Sequence, residues 1–115
     1  MRELMLVLKA VADKNRMRIL KMLEKKSMCV CELAEVLGIK QPSVSKHLSI
    51  LKNAGLIQDA RSGQWIEYSP CRARINDYAP FLQAAVKKWL NDDPLIISDC
   101  EKAKMLCRVE ICNKD

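Results

Sequence analysis

The chain lacks any apolar run that could span a bilayer: Leu4–Ala12 is broken by Lys9 and falls well short of the about 20 residues a membrane helix needs. No signal-peptide pattern opens it, which predicts a cytosolic protein. There is one histidine, His47, so no histidine cluster is available to hold a metal. The six cysteines are too sparse for a disulfide-dense secreted domain. In a reducing compartment they read as thiols with three possible roles: small hydrophobes, soft-metal ligands or redox sensors. No C-x-x-C sits on a βαβ unit, and no cluster of His, Asp and Ser supports catalysis, so the sequence argues against an enzyme. Internal repeats and low-complexity segments are absent too.

What is present fits one small domain. The 115 residues carry a net charge of +6, and the pI near 9.1 points to an anionic partner, with nucleic acid ahead of lipid. Half of the chain is hydrophobic, enough for one modest core that a partner subunit often completes.

Hydrophobic periodicity predicts helices over about 2–12, 15–25 and 29–37, and a fourth opened by Pro42 and closed by Gly55. Asp13 or Asn15 is placed to cap the second, and Gly38 to stop the third. After Gly55 the pattern changes. "LIQDARSGQWIEYS" reads as a β-hairpin turning at Gly63. A longer helix is expected over roughly 72–90, with the stripe Ile75, Tyr78, Ala79, Leu82, Val86 and Trp89. Beyond it, Ser98-x-x-Glu101 resembles a capping box for one more helix. The expected fold is mainly α with a small hairpin, a winged helix-turn-helix over residues 1–92, followed by a cysteine-containing tail over 93–115.

In that arrangement the Pro42 helix is the one that enters the major groove. Val44, Leu48 and Leu51 face the core. Lys46 and Ser49 fall opposite, Ser43 and Ser45 flank them, and Gln41 stands at the entrance. Arg61 and Gln64, at the hairpin tip, are placed to reach backbone or minor groove. His47 lies on the apolar side and reads as a buried, hydrogen-bonded residue rather than a ligand.

"MCVCELAEVLGIKQPSVSKHLSILKNAGLI" followed by "RSGQWIEYS" resembles the ArsR/SmtB family of winged-helix metal-responsive repressors, from about Ala10 to Trp89. The resemblance implies a homodimer, joined mostly through its first and last helices, bound to a palindromic operator and released by metal or metalloid. The stripes Leu4/Leu8/Val11 and Ile75–Trp89 suit that dimer, whose reading helices would stand about 34 Å apart.

The chemistry centres on Cys29 and Cys31. Thiolates select soft ions, so As(III), Sb(III), Cd(II), Pb(II) and Cu(I) are open. Arsenic-type members of the family resemble Cys-x-Cys-x-x-Cys here, but the third place is Ala34. The His/Asp pairs of zinc- and nickel-type members are absent from the last long helix, as are the N-terminal cysteines of cadmium- and lead-type members. The resemblance therefore implies As(III) or Sb(III) as inducer. A third sulfur is open to Cys71, Cys100, Cys107 or Cys112, for which ordinary packing or a plain exposed thiol is the first reading. Cys100 and Cys107 would share a helix face. A two-thiolate site with water, a small thiol or a methyl group as third substituent is the other option. In an intact helix residues two apart diverge by about 200°, so capture is expected to open the chain at 29–31 and distort the helix. A thiol redox or persulfide sensor of the same fold is the alternative, and a thiol metal carrier that needs no DNA is a third reading.

Overall fold

A computed structural model describes residues 1–112, without the side chains of Val109 and Cys112. Helices α1 (Arg2–Val11) and α2 (Lys14–Lys25) are joined by a short break. Asp13 caps α2 by accepting from the Arg16 N–H at 3.0 Å, so of the two expected caps Asp13 serves. Arg16 then turns back and closes the end of α1, donating to Ala10 O at 2.8 Å and Lys9 O at 3.0 Å. Its guanidinium also lies 3.2 Å from His47 Nδ1. His47 is half-buried rather than fully buried, and it links the fourth helix to this corner.

Helices α3 (Val30–Leu37) and α4 (Gln41–Asn53) form the helix-turn-helix. Gly38 closes α3 at φ 70°, a left-handed conformation that residues with a Cβ adopt at a cost. Pro42 occupies the first turn of α4, where its missing N–H costs nothing. Val44, Leu48 and Leu51 are buried against Ile19, Met22 and Leu33 in one continuous core.

Strands β1 (Ile57–Ser62) and β2 (Trp65–Pro70) make the antiparallel wing, in register from Ile57↔Pro70 to Ser62↔Trp65. Gly63 and Gln64 form the two-residue turn, with Gly63 at φ 62° as expected. The wing does not stand alone. Met28 and Tyr68 exchange backbone hydrogen bonds, at 3.2 Å and 2.8 Å, so the residue just before Cys29 is laddered to β2.

The helix expected over 72–90 is shorter: α5 spans Ala79–Lys88. Asn76 sets its start, because its carboxamide oxygen accepts from the N–H groups of Tyr78 and Ala79 at 2.9 and 2.8 Å. Pro80 fills its first turn. Ala79 and Val86 are buried, whereas Ile75 and Trp89, at the ends of the expected stripe, are 59% and 53% exposed.

Helix α6 (Pro94–Met105) starts earlier than the Ser98 signal suggests, because Asp93 caps it by accepting from Leu95 and Ile96 N–H at 2.9 and 3.3 Å. A short α7 (Arg108–Cys112) follows. Helix α6 packs on α2 and α3, and α7 packs on α3.

Two buried polar groups hold this shell to the body. Arg18 donates to both Asp99 oxygens, at 2.8 and 2.9 Å, and thereby joins α2 to α6. Lys21, 1% exposed, donates to Val86 O at 2.8 Å and Asn91 Oδ1 at 3.0 Å, satisfying the end of α5. Removing one partner of a buried pair strands the other, at about 3–5 kcal/mol. Asp99→Ala is therefore expected to lower unfolding stability by about that amount, read from urea denaturation followed by circular dichroism.

Candidate functional site

Helix α3 begins at Val30, and Cys29 is its N-cap residue with extended backbone, φ −96° and ψ 171°. An N-cap residue stands outside the helical turn. Its side chain is therefore not bound by the helical angle, and the Cys29 and Cys31 sulfurs converge to 3.3 Å. The expected divergence of the two thiols is overturned. The chain at Cys29 is already extended while α3 stays intact. Cys29 is buried and Cys31 half-buried, and Cys31 is disulfide-bonded in this structure.

Cys29 also completes a capping box in which sulfur takes the place usual for Ser or Thr oxygen. Its side chain faces the Glu32 N–H, and the Glu32 carboxylate accepts from the Cys29 N–H at 3.0 Å. Burial pushes the Cys29 thiol above its ordinary range, and the Glu32 charge adds to that. The Glu32 N–H and the Arg108 guanidinium oppose the shift without cancelling it.

Glu32 is itself buried. Burial alone would raise its carboxyl, but the Cys29 N–H and Arg108 outweigh it and hold the group below the ordinary carboxylate range. Arg108 on α7 donates to Glu32 Oε1 through Nε at 3.1 Å and Nη2 at 2.8 Å. Its Nη1 donates to Glu67 Oε1 on β2 at 2.9 Å, and its guanidinium lies over the Trp65 ring, 5.4 Å from the centroid. Arg108 thus joins three elements: the thiol-bearing start of α3, the wing strand and the C-terminal helix. Sequence reasoning missed this cluster. Cys29-x-x-Glu32 carried a signal, since it is a capping box written with sulfur. Nothing local marked Arg108, which is 76 residues from Glu32.

Among the described residues no group of three or more His, Cys, Asp or Glu side chains is arranged to hold a metal ion. Cys71 lies after β2 and donates to Ala73 O at 3.4 Å. Cys100 is half-buried on α6 and Cys107 is exposed. Cys107 falls beyond the end of α6 at Met105, so these two do not share a face of one helix. The Cys112 side chain lies outside the described residues.

Gln41, Ser43, Ser45, Lys46 and Ser49 are all exposed on α4, with Lys46 and Ser49 opposite the buried stripe, Ser43 and Ser45 on its flanks and Gln41 at the helix start. Arg61 and Gln64 are exposed at the wing tip. The structure presents these seven side chains to solvent from α4 and the hairpin tip. No helix among the described residues is long and apolar enough to cross a membrane.

The family model described as "Bacterial regulatory protein, arsR family" matches residues 13–59. The chain is 33% identical to the arsenic resistance transcriptional regulator ArsR1 of Pseudomonas putida, over 86% of this chain and 83% of that one. It is 38% identical to the transcriptional repressor SdpR of Bacillus subtilis, over 75% of this chain and 96% of the relative. Among solved structures it is similar to the homodimeric winged helix-turn-helix domain Mb0332 of Mycobacterium bovis, with a TM-score of 0.63 and 27% identity over 75% of this chain and 76% of that one.

Glu32 and Glu67 both have lowered carboxyl pKa values. The sign follows: what they contribute is complete above their ordinary 4.5 and is lost as pH falls through the lower folded values. In a Trp89→Phe background, Trp65 fluorescence is expected to stay flat from neutral pH down to about 4.5 and to change below it. The same titration of Arg108→Ala should lack that step.

Proposed function

The chain belongs to the ArsR family of winged helix-turn-helix transcriptional repressors, and from that membership we propose that it binds operator DNA as a homodimer and is released when Cys29 and Cys31 capture As(III) or Sb(III). The observation that carries the inducer is the 3.3 Å separation of the two sulfurs at the start of α3. A single ion with bonds to sulfur of about 2.3 Å can bridge that gap.

Proton balance favours a metalloid hydroxide. Arsenous acid and two thiols give a dithiolate As–OH and two waters, and arsenic stays trivalent. Each thiol proton leaves on a hydroxide that arsenic releases. A raised Cys29 pKa therefore does not oppose the exchange. A divalent cation must instead expel the proton into solution, and the same raised pKa works against it.

Two sulfurs leave one arsenic substituent to assign. It is a hydroxyl, a methyl group, a small thiol or Cys112, which stands one helical turn after Arg108 on the helix packed against α3. The recognition surface is Gln41, Ser43, Ser45, Lys46 and Ser49, with Arg61 and Gln64 of the wing, and the dimer seam is formed by α1 and α5. Leu8 on α1 is 41% exposed and Phe81 on α5 is 71% exposed, a pair of apolar faces that one copy leaves uncovered. The deciding experiment combines operator release with arsenic X-ray absorption on reduced protein. Cys29→Ser and Cys31→Ser are expected to bind operator and to resist arsenite. Cys112→Ser tells whether the sulfur count falls from three to two. Release of both Cys29→Ser and Cys31→Ser at the wild-type arsenite concentration excludes this site.

A thiol redox switch at the same position is the second reading, favoured by the disulfide at Cys31. Peroxide-driven release with no response to arsenite under strict reduction would select it. For the DNA face, Lys46→Ala and Arg61→Ala are each expected to weaken operator binding. Each should also reduce the slope of log K against log salt by about 1, measured by fluorescence anisotropy across a salt series.

A further inference from the structure

With α3 intact the Cys29 and Cys31 sulfurs lie 3.3 Å apart, Cys31 being disulfide-bonded in this structure; once reduced, the pair need not unwind α3 to seat an ion, and the signal to DNA then requires another carrier. We propose that Arg108 is that carrier: a positioning residue that transmits the state of the thiol site to the wing. This inference rests on the metalloid-repressor reading above.

Glu32 Oε1 accepts from Cys29 N at 3.0 Å and from Arg108 at 3.1 and 2.8 Å. Three N–H groups share that atom, so its position is set jointly by the backbone of a sulfur ligand and by the guanidinium. Binding at Cys29 that moves its backbone changes one of the three contacts. The Glu32 carboxylate has little room to adjust, because it is buried at 2% exposure and its other oxygen lies 3.8 Å from Lys26 Nζ.

The far side of Arg108 is the wing. Nη1 holds Glu67, and the guanidinium face covers Trp65. Trp65 is the first residue of β2, paired with Ser62 directly across the Gly63–Gln64 turn. The guanidinium therefore grips the strand next to the tip that presents Arg61 and Gln64. The planar fork is what allows one side chain to serve two carboxylates and a ring together; a lysine ammonium lacks that geometry. With Arg108 seated, the tip is held in one posture relative to α4. When Glu32 shifts, that grip loosens, and the wing loses the posture in which it and α4 engage the same duplex.

The test is a coupling measurement on the full chain, kept reduced, with a duplex selected from random sequence by the arsenite-free dimer. Operator affinity is measured with and without sodium arsenite for wild type, Arg108→Ala, Arg108→Lys and Glu67→Gln. Glu67→Gln leaves the Glu32 contact in place and weakens only the wing contact, so it guards against misfolding of the Arg108 variants. Wild type is expected to show a ratio of the two affinities in the usual range for coupled sites, about 5–150-fold. In Arg108→Ala the ratio is expected to fall to within about threefold of unity, with Arg108→Lys and Glu67→Gln between. Arsenic X-ray absorption should give the same sulfur count in all four proteins. A purely structural role for Arg108 would lower both affinities and leave their ratio unchanged. A wild-type ratio kept by Arg108→Ala and Glu67→Gln overturns the inference and leaves the metalloid reading intact. A wild-type ratio of one removes that reading and this inference with it.

Discussion

A buried carboxylate must be paired, and in this protein much else follows from how Glu32 is paired. Glu32 sits in the first turn of α3, where the helix dipole and the Cys29 N–H favour its charge. Those are not enough for a side chain that is 2% exposed, and Arg108 completes the compensation with two further hydrogen bonds. The C-terminal helix is therefore required by the charge at the start of α3. The wing is drawn in through the remaining arm of the same guanidinium.

The second polar staple, Arg18 with Asp99, repeats that logic on the other face of α3's neighbourhood. There α6 closes against α2 through a bidentate pair. Apolar burial on α6 is modest, with Ile96 and Ala103 as its buried apolar residues. The chain beyond α5 is held to the body by a few specific charge pairs more than by a broad apolar face. Such attachment responds to charge and geometry at single sites, in a way that a greasy seam does not.

Turn chemistry was the most readable level of this sequence. Gly38, Pro42 and Gly63 each carry a stereochemical requirement that few other residues meet, and each stands where it was expected. The pairing of Cys29 with Cys31 was legible from their spacing, and their sulfurs do meet. Its geometry was misjudged by one residue, because periodicity cannot say whether a helix begins at 29 or 30, and that decides whether the two sulfurs diverge or meet. The shortened α5 has a similar origin. Its apolar stripe continued through Ile75, but Asn76 and Pro80 fix the start, and local punctuation overrode the period. Arg108 and Asp99 were invisible for a different reason. Their partners lie 76 and 81 residues away, and no local pattern encodes a long-range ion pair.

The backbone bridge between Met28 and Tyr68 bears on how such a protein can diversify. A hairpin attached only by its two ends could be altered in length or sequence without consequence for the thiols. Here the strand shares hydrogen bonds with the residue preceding Cys29, so the hairpin and the start of α3 are not separate modules. A drift in wing register that suits a new operator would also move the start of α3. On the proposed reading, inducer and DNA preference would evolve together, and a chimera that swaps the hairpin without the start of α3 would inherit a mismatch at that rung.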